Sequence, residues 1–247
     1  VFEKDTEDVS KNEVQRRQEL KTAYLTFEKK HGDPSQMETV LLDQRRKEYE
    51  EHLEQDPYDY DGWLELAKLL TDPNAIRDVY ERALAHVPPS QNKDDWRRYI
   101  YLFIYYAVFE ELDTHDMDRA VQVYETCLRI IPHSTFTFGK IWTLLSELHV
   151  RRRDLTAARK LLGRAIGVTG AKKAKIFEHY INLELALGEI ERCRTIYTNF
   201  LKAMPHNGKA WVQYASLESS VGETDRARSI LELGVSQTEL DRPEDVW

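Results

Sequence analysis

Apolar residues recur along this chain with the period of a helix, and the helical pattern itself repeats. In AWVQYASLESS, residues 210–220, Trp211, Tyr214 and Leu217 stand three apart with Glu218 beside the last, so all four fall on one stripe of a helix. The same string, aromatic-x-x-Tyr or Leu-x-x-Leu or Phe-Glu, returns as Phe103, Tyr106, Phe109, Glu110 and as Phe177, Tyr180, Leu183, Glu184. Two further copies keep the apolar positions and lose the acid: Trp63, Leu66, Leu69 end on Leu70, and Trp142, Leu145, Leu148 end on His149. Tyr24, Phe27 and Glu28 match with Lys21 in the aromatic slot, and Trp247 falls where another copy would begin. The starts at 21, 63, 103, 142, 177, 211 and 247 lie 34 to 42 residues apart.

A second amphipathic stretch follows each first one, anchored on Tyr49, Tyr80, Tyr124, Leu162, Tyr197 or Leu231. An Arg precedes the anchor by three in Arg46, Arg77, Arg159, Arg194 and Arg228, with Val121 the exception. Pro57, Pro88, Pro132 and Pro205 stand four residues past the next aliphatic position, where a residue without an N–H stops a helix; Gly170 takes that place once. Two helices per repeat with no strand-like alternation predict an all-α protein, a right-handed α-α superhelix of about six hairpins. The repeats are expected over 21–57, 58–88, 96–132, 138–170, 173–205 and 207–240 of a single solenoid domain, with the next starting at 243–247. One hairpin cannot bury its own stripe. Trp63, Tyr80, Phe103, Tyr106, Glu110, Tyr124, Trp142, Phe177, Tyr180, Glu184, Tyr197, Trp211, Tyr214 and Glu218 are therefore expected to serve stacking, with charged residues outside.

Repetition also decides the chemistry. A general acid or base is needed once, whereas Glu28, Glu110, Glu184 and Glu218 occupy one phase of the repeat. A packing role fits better, and Glu218 with Arg228 and Glu184 with Arg194 are the expected ion pairs. Cys193 aligns with Ala120, Ala158 and Ala227, and Cys127 with Ala83, Ala165 and Gly234, so both thiols are read as small residues at close helix approaches. With no second Cys near either and no helical His pair at metal spacing, no metal site is expected. There is no G-x-S-x-G, and GRAIGVTGAKK at 163–173 has the wrong spacing for a phosphate loop. No catalytic residue, cofactor or small-molecule substrate is expected.

Two cysteines point to a reducing compartment, and no run approaches the roughly 20 apolar residues of a membrane span. The chain begins at Val1 without a methionine and stops in mid-pattern, so it is expected to be a piece of a longer protein. With 35 basic and 43 acidic residues, the net charge of −8 argues against binding nucleic acid along the whole length. One segment departs from that balance. Arg151, Arg152, Arg153, Arg159, Lys160, Arg164, Lys172, Lys173 and Lys175 face a single acid, Asp154, and on a helix Arg153, Lys160 and Arg164 would share a face. This is the candidate contact for RNA phosphates or an acidic partner, set against a plain solvated face. Nearly every aromatic belongs to the repeat; Tyr58 and Tyr60 are the exceptions, read as loop residues at the start of a first helix rather than a stacking platform.

Trp, Tyr and Glu in the first helix, with Arg, Tyr and a closing Pro in the second, resemble the half-a-tetratricopeptide (HAT) repeat rather than the small-residue pattern of the tetratricopeptide. The likeness covers essentially the whole chain. EKKHGD at 28–33, VPP at 87–89, WRRYIYLFIYYAVFEEL at 96–112, IPHSTFTFGKIW at 131–142 and DRPEDVW at 241–247 are similar to the Crooked neck family of pre-mRNA splicing factors, from their central portion. That resemblance implies a nuclear, non-enzymatic spliceosomal scaffold. Its implied partners are a Myb-domain splicing factor, another HAT-repeat protein and members of the Nineteen complex, with RNA as a further candidate. The alternative is a HAT scaffold of another machine, for mRNA 3′-end cleavage and polyadenylation or for ribosomal RNA processing.

Overall fold

The computed structural model describes residues 16, 19, 20, 22–24, 26, 27, 34–168, 173–237 and 239–241. Lys21, Glu28, the EKKHGD string, Gly170, Lys172 and Trp247 lie outside the described residues. Eleven helices are bounded among the described residues, which contain no strand, and they fall in two units, residues 1–88 and 89–247.

The first unit holds α1 (Pro34–Gln55), α2 (Tyr60–Lys68) and α3 (Pro73–Ala85), each packed on the next. α2 starts where Asp59 accepts a hydrogen bond from the Gly62 N–H, and α3 where Asp72 accepts from the Ala75 N–H with Pro73 as its first residue. Tyr60 lies at the expected start of a first helix and is its first residue: its ring is buried and its hydroxyl donates to the His86 carbonyl at 2.8 Å. Tyr58 stays half-exposed. Tyr24 and Phe27 are also exposed, at 50% and 60%, so the opening copy of the pattern lacks the burial of the others. α1 offers little apolar surface. Its sequence is dominated by charged and amide residues, and among the described residues Leu53 is the buried hydrophobic it supplies.

The second unit is a succession of hairpins: α4 (Lys93–Leu112) with α5 (Met117–Ile130), α6 (Gly139–Arg151) with α7 (Leu155–Val168), α8 (Ala174–Ala186) with α9 (Ile190–Ala203), and α10 (Gly208–Ser220) with α11 (Thr224–Val235). The two helices of each hairpin pack together, and α5, α7 and α9 pack on the first helix of the following hairpin. Burial therefore propagates from neighbour to neighbour, as in solenoid folds.

Two local devices recur. The fourth residue of every first helix is aromatic, in Trp63, Trp96, Trp142, Phe177 and Trp211. The indoles of Trp63, Trp96 and Trp211 donate to the carbonyls of Pro57, Ser90 and Pro205, each six residues back, which ties the incoming turn to the new helix. In α4 that place belongs to Trp96, seven residues before Phe103. The helix is 20 residues long where α6, α8 and α10 have 13, so two extra turns separate its aromatic start from its Glu end. The second device closes each hairpin of the second unit. His115, Arg153, Gly188 and Gly222 have φ of 58°, 62°, 73° and 87°, and the next residue's N–H returns to the carbonyl of Glu110, His149, Glu184 or Glu218. The Glu position of the repeat is thus the residue whose carbonyl receives the turn.

Small slots are where helices approach closest. Ala83, Cys127 and Ala165 are fully buried, and a Cβ built on Gly234 of α11 would lie 3.1 Å from Trp211 Cγ. Gly234→Leu is expected to overpack that contact and lower stability by about 1–3 kcal/mol. A urea unfolding curve of the chain with an unchanged midpoint would contradict the close approach.

Candidate partner-binding surface

Surface charge can act on a partner only where internal pairing has left it free. The second unit uses much of its charge internally. Glu110, Glu184 and Glu218 are wholly buried, a position a carboxylate holds only with strong donors. Glu184 receives both arms of Arg159, at 2.8 and 2.7 Å, and Glu218 both arms of Arg194, at 2.9 and 2.7 Å. These are not the expected pairs. Each Arg comes from the second helix of the preceding hairpin, α7 for Glu184 and α9 for Glu218, because the residue three before the anchor faces the next hairpin. Arg228, the expected partner of Glu218, is exposed and has no ion pair among the described residues.

From the same hairpin a different Arg, five residues before the anchor, completes the shell. Arg226 lies 3.4 Å from Glu218 and donates to the Tyr214 hydroxyl at 3.3 Å; Arg119 lies 3.3 Å from Glu110 and donates to the Tyr106 hydroxyl at 3.1 Å. Thr114 adds a 2.7 Å bond to Glu110. The Glu218 carboxylate, by its hydrogen bond, raises the Arg194 guanidinium above its ordinary pKa.

Two of the three departures from the Arg and Glu pattern become one in this light. The second helix that lacks the Arg, with Val121 in its place, precedes a first helix that lacks the Glu, with His149 in its place. The third differs: Arg46 precedes the copy ending on Leu70, and without that acid it turns to Glu50 on its own helix at 3.3 Å.

The other repeat positions lie inside. Trp63, Tyr80, Phe103, Tyr106, Tyr124, Trp142, Phe177, Tyr197, Trp211 and Tyr214 are buried and Tyr180 is half-buried. Tyr197 and Tyr214 stack across neighbouring hairpins with centroids 4.9 Å apart, and Phe177 stacks on Phe200 at 4.7 Å.

The basic segment is divided by the fold. Arg151 makes a two-armed pair with Glu111 of α4, and Arg152 reaches Asp118 of α5 at 2.5 Å. Arg159 is held by Glu184, and Arg164 lies over the Trp142 ring at 5.2 Å, as Arg82 lies over Trp63 in the first unit. Arg153 sits in the left-handed turn before α7, so it does not share a helical face with Lys160 and Arg164 as expected. Arg153 and Lys160 are exposed and, among the described residues, have no ion pair. Lys173 and Lys175, at the start of α8, border a groove whose rim also carries Lys93 and Lys140. Those two lysines were beyond sequence reasoning, because they stand 80 and 33 residues before Lys173 and only stacking brings them near it.

One arrangement imitates a reaction centre. The Ser146 hydroxyl lies 2.8 Å from His179 Nε2, and Glu147 lies 3.8 Å from His179 Nδ1. Ser146 is 1% exposed and donates its proton to the Thr143 carbonyl at 2.7 Å, so its oxygen accepts from the imidazole and ties α6 to α8. Burial lowers the pKa of His179 and of His149, leaving both neutral at pH 7; it raises Tyr124 and Tyr197 to about 12 and also pushes the Cys127 thiol up. Among the described residues no group of three or more His, Cys, Asp or Glu side chains is placed to hold a metal, and no helix is long and apolar enough to cross a membrane.

Comparison with known proteins adds a family. Residues 45–206 match the model of the pre-mRNA-splicing factor Syf1/CNRKL1 N-terminal HAT repeat. The chain is 50% identical over 231 residues to the pre-mRNA-splicing factor clf1 of Aspergillus fumigatus, covering 92% of this chain and 34% of that protein. It is 46% identical to the protein crooked neck of Drosophila melanogaster, over 94% of this chain and 33% of that one. With the human crooked neck-like protein 1 the identity is 43%, over 93% and 27% respectively. The chain thus spans about a third of the length of these relatives.

The direction of the ion pairs is directly testable. Glu218→Ala is expected to lower stability by about 2 kcal/mol. Its effect should be strongly non-additive with Arg194→Ala and additive with Arg228→Ala, as read by double-mutant cycles in urea. Coupling to Arg228 in place of Arg194 would contradict the assignment.

Proposed function

This chain belongs to the family of Syf1/CNRKL1-type HAT-repeat pre-mRNA-splicing factors, and from that premise we propose that it is a non-enzymatic scaffold segment of the spliceosome, working in the nucleus. The family match over residues 45–206 carries the reading. The geometry supports it in a specific way: the repeat's aromatics and carboxylates hold the stack together, and in the Ser–His–Glu grouping described above the buried Ser146 hydroxyl gives its proton to the Thr143 carbonyl and serves as a tether.

A scaffold of this kind works by holding partners at fixed spacings along stacked hairpins, with binding residues drawn from several repeats. The proposed partners are those the family resemblance implies: a Myb-domain splicing factor, a second HAT-repeat protein and Nineteen-complex members. Arg153, Lys160, Lys173 and Lys175, left over from internal pairing, are the contacts proposed from the basic segment. Arg151, Arg152, Arg159 and Arg164 are assigned to the stack. A polyanion such as RNA finds less free basic charge than the sequence advertises, so protein partners are favoured.

Affinity purification of the tagged chain from nuclear extract, followed by crosslinking mass spectrometry, tests the proposal. The expected result is recovery of spliceosomal proteins with crosslinks at Lys160, Lys173 or Lys175. Recovery of cleavage and polyadenylation factors or ribosome-assembly factors, without spliceosomal ones, would overturn it.

A further inference from the structure

The first helices of three successive hairpins begin at one edge of the second unit, and each carries a lysine within its first two residues. Lys93 is the first residue of α4, Lys140 the second of α6, and Lys173 and Lys175 flank the first residue of α8. These lysines rim a groove of about 690 Å³ whose floor is apolar, with Phe138, Gly139, Ile176 and Met204. No carboxylate among the described residues lines it. Among the described residues none of the four ammonium groups has an ion pair, although the protein carries a net charge of −8 and Arg151, Arg152, Arg159 and Arg194 of the same unit are all engaged with acids. Two of the lysines are instead placed by aromatic rings: Lys140 lies 4.9 Å from the centroid of Tyr101, and Lys93 lies 5.5 Å from that of Phe138.

We propose that this groove binds a short acidic segment of a partner protein, with an apolar side chain seated on Phe138, Ile176 and Met204 and flanking carboxylates on Lys93, Lys140, Lys173 and Lys175. Charge complementarity chooses the occupant, since four uncompensated cations around an apolar floor match a sequence that alternates acid and large apolar residues. The volume is in the range of sites that enclose a few side chains. Met204 supplies an unbranched, adaptable wall. Gly139 keeps the space open: a Cβ there would meet only Ile176 Cγ1, at 3.9 Å. RNA fits less well, because the rings of Tyr101 and Phe138 already carry lysines and are not bare stacking faces. The inference deepens the scaffold reading and rests on it for the partner's being a protein.

Fluorescence anisotropy with the purified chain tests the site. The probe is a labelled peptide alternating glutamate with leucine and phenylalanine; its counterparts are the same peptide with lysine for glutamate, polyglutamate, and a polyuridine strand. Saturable binding of the acidic-apolar peptide is expected. It should weaken roughly tenfold or more in Lys140→Glu/Lys175→Glu, with steep loss on adding salt. Gly139→Met, which fills the groove without a clash at Cβ, should weaken it similarly while the thermal midpoint holds. The proposal is overturned by no saturable binding, by binding that both variants leave intact, by polyglutamate binding as tightly, or by polyuridine binding more tightly with the same sensitivity to the variants. Failure here with spliceosomal proteins still recovered by the tagged chain removes the groove and leaves the scaffold. Recovery of none removes the scaffold reading itself.

Discussion

A buried carboxylate gripped by the arginine of the preceding hairpin is the interaction on which the second unit depends. Glu184 and Glu218 have no contact with solvent, and a carboxylate in that position must be given donors or be protonated at a large cost. Arg159 and Arg194 supply them from the neighbour, two hydrogen bonds each. Apolar stripes alone tolerate sliding and rotation of one hairpin on the next. A two-armed Arg–Glu pair does not, because the planar guanidinium accepts a narrow range of geometries. The pair therefore sets the register between hairpins, and the stacked rings of Tyr197 and Tyr214 follow from that register.

Much of this was legible in the sequence. The recurrence of Trp, Tyr and Glu gave the helices and the repeat, and Pro57 and Pro205 turned out to be held by the very tryptophans that begin the next copy. The direction of the ion pairs was not legible. In a periodic chain Glu218 stands 10 residues before Arg228 and 24 after Arg194, and periodicity offers both without choosing. The paired exceptions at Val121 and His149 carried the answer, because they fail together only if the partner lies in the preceding repeat. The basic run was visible as composition, but its fate lay with Glu111, Asp118 and Glu184, 25 to 40 residues away. Trp96 was missed as the aromatic start of α4 because counting back from Glu110 lands two turns inside a longer helix.

These facts shape the functional argument. A stack that consumes its aromatics and many of its charges internally leaves function to what remains at the edges, and one such set is four lysines at or beside helix starts. Lys93, Lys140, Lys173 and Lys175 are scattered in sequence and neighbours in space. Adjacent repeats bring like positions into a row, so a scaffold gains a binding edge from residues that no single repeat displays.

The central claim is that Arg–Glu pairs between neighbouring hairpins fix the stack, and the place where nature omitted one tests it most directly. Val121→Arg and His149→Glu should be made singly and together, with stability read from urea unfolding. The account predicts that His149→Glu alone destabilises, by placing a carboxylate in a slot without its donor, and that adding Val121→Arg recovers the loss with a coupling of about 1–3 kcal/mol. Effects that add to within about 0.5 kcal/mol would contradict it.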